Sequence, residues 1–306
     1  MVLKKIFGKY AISIVYLHKN TKYLNFIVFS MSTNKNEKGG SPLKSMFAAI
    51  VIPVCLLVSI LVYKFVLGAP SNFKGGNPEN MPLPGSYLGM MYKGGFIVPI
   101  LMCLVLLVIV FTIERMITIN RATGKGRIEN FVRKIRTHLN SGNIDAAIKE
   151  CDIQKGSVAN VVRAGLEKYK AMEQEHEIEL EQKTLAIQKE IEEATTLEMP
   201  ALEKNLPVLA TIASVATLIG LLGTVLGMIR SFAAMGESGA SAADALAIGI
   251  SEALINTATG ITASALAIIF YNYFTGRIDK LTYSIDESGF SIVQTFAASH
   301  SKKQSA

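Results

Sequence analysis

Four stretches of the chain are apolar for long enough to cross a bilayer, and the polar segments between them set their order. The first, 46–68, runs through Pro53, which neighbouring helices accommodate inside a membrane. The second, 95–113, stops at Glu114-Arg115. The third and fourth, 206–234 and 240–274, each exceed the roughly 20 residues a helix needs to span the hydrocarbon layer. Only the polar turn Met235-Gly236-Glu237-Ser238-Gly239, residues 235–239, parts them, so they predict a transmembrane helical hairpin. The fold expected is an all-α integral membrane protein of about four transmembrane helices, with long helices extending out of the membrane.

The remaining segments read as wet. Residues 1–45 are basic and polar, with apolar patches at 11–17 and 24–30 too short to span, and Met31 opens a flexible run that suggests the true start. Segment 69–94 is rich in Gly, Pro and Asn, includes Pro82-Leu83-Pro84-Gly85, and reads as a loop. Residues 114–205 begin as short helices broken at Asn140-Ser141-Gly142-Asn143 and at Lys155-Gly156-Ser157. From Asn160 to Glu198 the pattern predicts one long charged helix with Leu180, Ile187, Ile191 and Ala194 on one face. It leads through Pro200 and Pro207 into the third span, and neighbouring subunits are expected to bury its stripe in a shared collar. Tail 275–306 starts as an amphipathic helix carrying Ile278, Leu281, Ile285 and Ile292. Basic residues crowd three positions: Lys35, Lys38 and Lys44; Arg121 to Arg136; and Arg277 and Lys280. They place both termini and the 114–205 segment on the cytoplasmic side.

The hairpin is unusual for an anchor. Ala213, Thr217, Gly220, Thr224, Gly227 and Ser231 form a stripe of small and hydroxyl residues at helical spacing, and Ala253, Asn256, Thr257, Gly260 and Ser264 form another. Small faces let helices approach closely, and polar groups in lipid must find partners. Glu252 is the sharpest feature, since a carboxylate at membrane depth costs on the order of 3 kcal/mol. Counted from Ala240 it falls near the middle of the membrane, with Asn256 and Thr259 on its side. It is either part of an ion or proton path or a structural residue held by a salt bridge.

Composition narrows the class. The 306 residues are 50% hydrophobic with no Trp, and the net charge of +7 is spread beside the spans instead of being interleaved with aromatics. That pattern fits membrane orientation and not nucleic acid. Cys55, Cys103 and Cys151 lie far apart, and His18, His138, His176 and His300 are isolated, so no disulfide framework, metal site, cofactor or enzyme triad is indicated. No internal repeat suggests a secondary transporter.

The runs Leu209-Ala210-Thr211-Ile212-Ala213, Gly220-Leu221-Leu222-Gly223-Thr224-Val225-Leu226-Gly227-Met228 and Glu252-Ala253-Leu254-Ile255-Asn256-Thr257-Ala258-Thr259-Gly260 resemble the MotA/TolQ/ExbB proton-channel family. The likeness is nearest to its ExbB branch, with TolQ the alternative, and extends from about Phe96 to Phe274. It implies a three-helix core to which 46–68 is an added span, with 69–94 and 235–239 periplasmic. It further implies a homo-oligomer, a pentamer in the bacterial inner membrane, around a single-span ExbD-like partner bearing a protonatable aspartate, with a TonB-like protein receiving the energy. Thr224 and Thr257 match the family's pore-facing threonines and Glu252 its intramembrane glutamate. Asn256 and Thr259 depart from the pattern, where smaller or apolar residues are usual. With Thr217, these six form the expected proton-pathway or partner-facing set.

Overall fold

The structure, a computed structural model, describes residues 47–237 and 242–304. The segment 1–45 with its alternative start at Met31, Ser238 and Gly239 of the expected turn, and the last two residues lie outside the described residues. All regular elements among the described residues are helical. Helix α1 (Phe47–Val62) widens into a π-turn at Tyr63–Leu67, and two 3-10 turns, Pro70–Asn72 and Lys74–Gly76, follow. Then come α2 (Tyr87–Lys93), α3 (Ile97–Thr123), α4 (Ile128–Asn140), α5 (Ile144–Gln154) and α6 (Ser157–Gln174). Helices α7 (Leu180–Glu203), α8 (Leu206–Glu237) and α9 (Ala242–Gln304) complete the chain. Four helical stretches, Phe47–Leu67, Ile97–Asn140, Leu180–Ala233 and Leu246–His300, are long and apolar enough to cross a membrane. This is an all-α, multi-pass membrane protein. Met235, Gly236 and Glu237, expected in the turn, continue α8.

Helix α9 is 63 residues long and carries both the fourth apolar stretch and the tail. No proline interrupts it, and its apolar stripe continues beyond the membrane segment as Phe274, Ile278, Leu281, Ile285, Ile292 and Phe296, all buried. Helices α4, α6 and α7 pack on this lower half, and α5 packs outside them on α4 and α6. Helix α4 buries Ile128, Phe131, Val132, Ile135 and Leu139, one face at helical spacing. Tyr169 of α6 meets Phe296 edge to face at 4.9 Å.

The single long helix expected over 160–198 is instead two antiparallel helices. Asn160 of α6 donates to Glu198 of α7 at 2.8 Å, Lys168 lies 3.9 Å from Glu190, and Gly165 packs against Ile191, so the pairing runs in opposite directions. The reversal falls where Glu173, Glu175, Glu177 and Glu179 crowd like charges that a continuous helix would stack. Folding back also lets α6 and α9 cover Ile187 and Ile191. Of the stripe expected in a shared collar, Ile187 and Ile191 are thus buried within one chain, while Leu180 and Ala194 stay half-buried.

Cys151 sits inside this helical domain, and burial pushes its thiol up to about 12. A thiol that stays protonated at neutral pH is a poor nucleophile. Native protein whose only cysteine is Cys151 is expected to resist iodoacetamide until unfolded; labelling at the rate of a free thiol would contradict the packing.

At the opposite end an aromatic cap ties the added span to the loop. Tyr63 stacks on Tyr92 with centroids 4.7 Å apart and donates its hydroxyl to the Tyr92 carbonyl at 2.9 Å. Phe73 closes on Tyr92 edge to face, and Lys93 lies over Phe73.

Candidate functional site

Helices α8 and α9 pack antiparallel along the small-residue stripes. A Cβ added at Gly220 would sit 3.1 Å from the Asn256 carbonyl and 3.2 Å from the Gly260 Cα; one at Gly227 would sit 3.1 Å from the Ala253 Cβ. Ser264 donates to the Ala213 carbonyl, closing the seam at its far end. The stripes thus face each other, and the polar residues are left on two opposite flanks of the seam. One residue of helix turns the chain by about 100°, which is enough to put Asn256 and Thr257 on different flanks.

On the flank away from α3, the hydroxyls of Thr224 and Thr257 are hydrogen-bonded to each other across the hairpin. Thr224 also reaches the Gly220 carbonyl at 3.2 Å, and Thr257 reaches it at 3.4 Å. Both threonines are half-buried, and Leu221, Leu254 and Ile261 around them are exposed, so no other described element covers this flank. Thr217 is half-buried two turns away on α8.

The flank toward α3 holds the charges. Arg230 Nη1 donates to Glu252 Oε1 at 2.7 Å, and the guanidinium lies over the Phe96 ring, 5.5 Å from its centroid. The glutamate side chain is 11% exposed, the arginine 50%. Asn256 Nδ2 donates to the Gly94 carbonyl at 3.0 Å. Gly95, at φ 73°, brings bare backbone against the ion pair; a Cβ there would lie 2.9 Å from Arg230 Nη1. Thr259 returns its hydroxyl to the Ile255 carbonyl at 2.8 Å and joins neither cluster.

Glu252 therefore stands level with Gly95, two residues before α3 begins, at the loop-side edge of the apolar layer. Counting from Ala240 gave mid-membrane because it took the start of α9 as the membrane boundary, whereas its first turns rise beside the loop. The threonine pair lies deeper: Thr257 is about 7 Å further along the axis at 1.5 Å per residue. Sequence reasoning missed Arg230. The signal was available, since a cation inside the apolar run Met228 to Phe232 needs an acid, and Glu252 is the acid on the facing helix. Among the described residues no group of three or more His, Cys, Asp or Glu could hold a metal ion.

Fold and site together define a multi-pass helical membrane protein with a close-packed hairpin and a hydroxyl pair on its open flank. Residues 154–287 match the sequence pattern of the MotA/TolQ/ExbB proton channel family, which supports at family level the resemblance carried by the hairpin motifs. Similar proteins include the Tol-Pal system protein TolQ of Pseudomonas aeruginosa, 33% identical over 124 residues, 40% of this chain and 54% of that protein. TolQ of Haemophilus influenzae is 32% identical over 88 residues, 29% and 39% of the two chains. A biopolymer transport protein, ExbB-like 3, of Synechocystis is 33% identical over 86 residues, 28% and 41%. The matches span about half or less of these relatives' own lengths.

Proposed function

We propose that this chain is an ExbB-like stator subunit of an inner-membrane motor that couples proton flow to mechanical work, without enzymatic chemistry of its own. The Thr224–Thr257 hydroxyl pair carries the reading: it is the polar feature of the hairpin left open on a flank that no described element covers. Copies of the chain assembled as a pentamer turn these flanks inward onto a single-span ExbD-like partner, whose aspartate meets the hydroxyls. The hydroxyls then orient or relay protons as the partner turns, and a TonB-like protein takes up the work for outer-membrane transport. The basic residues after α3 and in α9 fit a chain with both termini in the cytoplasm and the 69–94 loop in the periplasm.

Thr224→Ala and Thr257→Ala are each expected to lower proton-gradient-dependent uptake by about 10²-fold, the scale of a lost proton-transfer group. Membrane levels and assembly should stay normal. Uptake at the parental rate in both variants would remove the hydroxyl pair from the pathway. A second reading, a TolQ-like subunit of the Tol-Pal envelope system, draws on the two TolQ relatives. The same variants separate the two: lost uptake with an intact envelope favours the first, a leaky outer membrane with normal uptake the second.

A further inference from the structure

We propose that Arg230, Glu252 and Asn256 form a latch that seats the hairpin on the loop-side end of α3, and that Arg230 and Glu252 act as positioning residues, not as proton carriers. Only the uptake readout below rests on the stator reading. Three observations carry the proposal. The carboxylate already accepts from Arg230 at 2.7 Å, and this pair lies on the flank opposite the Thr224–Thr257 hydroxyls. Asn256, 1% exposed, spends its amide donor on the Gly94 carbonyl at 3.0 Å. The backbone opposite is shaped to receive both: Gly95 takes a left-handed φ of 73°, and a side chain there would strike Arg230 and Glu252.

The charges suit a clamp at that depth. A lone carboxylate or guanidinium at the edge of lipid is costly, and each lowers the cost of the other. The Phe96 ring adds a face for the guanidinium at 5.5 Å. Through Tyr92 the latch also reaches the added span, because Tyr63 at the end of α1 stacks on Tyr92 and bonds its carbonyl. Helix α1 otherwise exposes most of its apolar side chains, including Leu57 and Ile60. Besides the meeting of Cys55 and Ser59 with Cys103 of α3, one tie to the hairpin runs by Tyr63, Tyr92, Gly94 and Gly95 to Asn256 and Glu252, which gives the end of the extra helix a part in holding this junction.

The test measures amide hydrogen exchange over 92–98 in the membrane-embedded full chain, with uptake recorded in parallel. Arg230→Gln is expected to speed exchange there by about tenfold or more, as the local opening cost falls. Arg230→Lys keeps a cation within reach and should restore both exchange and uptake to about twofold of the parent. Glu252→Gln retains an acceptor oxygen for Arg230 but removes its counter-charge, so exchange should speed by a few-fold, less than in Arg230→Gln, and uptake should fall only in step with exchange. Unchanged exchange in Arg230→Gln overturns the latch. Glu252→Gln that assembles and keeps slow exchange but loses uptake makes Glu252 a proton carrier and overturns the positioning role, while the stator reading stands. Parental uptake in Thr224→Ala and Thr257→Ala defeats the stator reading and leaves the exchange result untouched.

Discussion

Arg115→Ala is expected to destabilise the chain by about 3–5 kcal/mol, the cost of removing one partner from a buried ion pair. Arg115 is 1% exposed, just past the apolar run of α3. Its Nη2 and Nε donate to the two oxygens of Glu114 at 2.5 and 2.7 Å, and its Nη1 donates to the Leu202 carbonyl at 3.1 Å. Glu114 in turn accepts from Thr118 at 3.1 Å and from Asn205 at 3.2 Å. Asn205 is the left-handed residue, φ 67°, at the elbow between α7 and α8. The guanidinium thus satisfies the last carbonyls of α7 and, through Glu114, fixes the elbow that aims α8 into the membrane. Alanine leaves the Glu114 carboxylate without its counter-charge, with only Thr118 and Asn205 still donating to it, and leaves the end of α7 without its donor. Lys280→Ala is the control: its pair with Glu129 joins two side chains about 60% exposed, and such pairs are worth roughly 0–1 kcal/mol. Thermal unfolding of the detergent-solubilised chain should separate the two variants clearly; equal midpoints would mean that the elbow is held by something else.

The elbow also shows what could be read before the fold. Glu114-Arg115 reads as the charged end of a span, but α3 continues without a break to Thr123. A guanidinium turned inward onto the partner helix is sequence-silent: nothing local distinguishes it from a solvated arginine. The hairpin was more legible because its signal is local and periodic. Glycines and hydroxyls at i, i+3, i+4 and i+7 announce a close helix contact, and Gly220, Gly227 and Gly260 make it. Periodicity could not say which flank each polar residue takes once the seam is formed. Helical spacing puts Asn256 on one stripe with Thr257 and Glu252 beside Asn256, yet in the folded hairpin Glu252 and Asn256 turn to the α3 side and Thr257 to the open side. Likewise the charged stretch 160–198 reads as one helix by its spacing, but the like charges at Glu173 to Glu179 and the partner gained on folding back decide for two helices.

Two glycines of α9 should respond in opposite ways. Gly260→Val is expected to cost about 3 kcal/mol or more, at the upper end of overpacking penalties. Its neighbours cannot move aside as a flexible side chain would. A Cβ at 260 lies 2.6 Å from the Ala216 carbonyl oxygen and 2.9 Å from the Gly220 Cα, so it meets backbone of the facing helix. Relief requires α8 and α9 to separate, and separation pulls Thr224 away from Thr257 one turn along the seam, so folded yield and uptake should fall together. Gly276, four turns further on, has nothing within 4 Å of its added Cβ. Gly276→Ala there only removes backbone freedom from the unfolded chain and should stabilise α9 by up to about 1 kcal/mol. Thermal midpoints in detergent read both. If Gly260→Val unfolds no earlier than Gly276→Ala, the helices are not in backbone contact at the seam, and the close approach that presents the threonine pair is lost as an explanation.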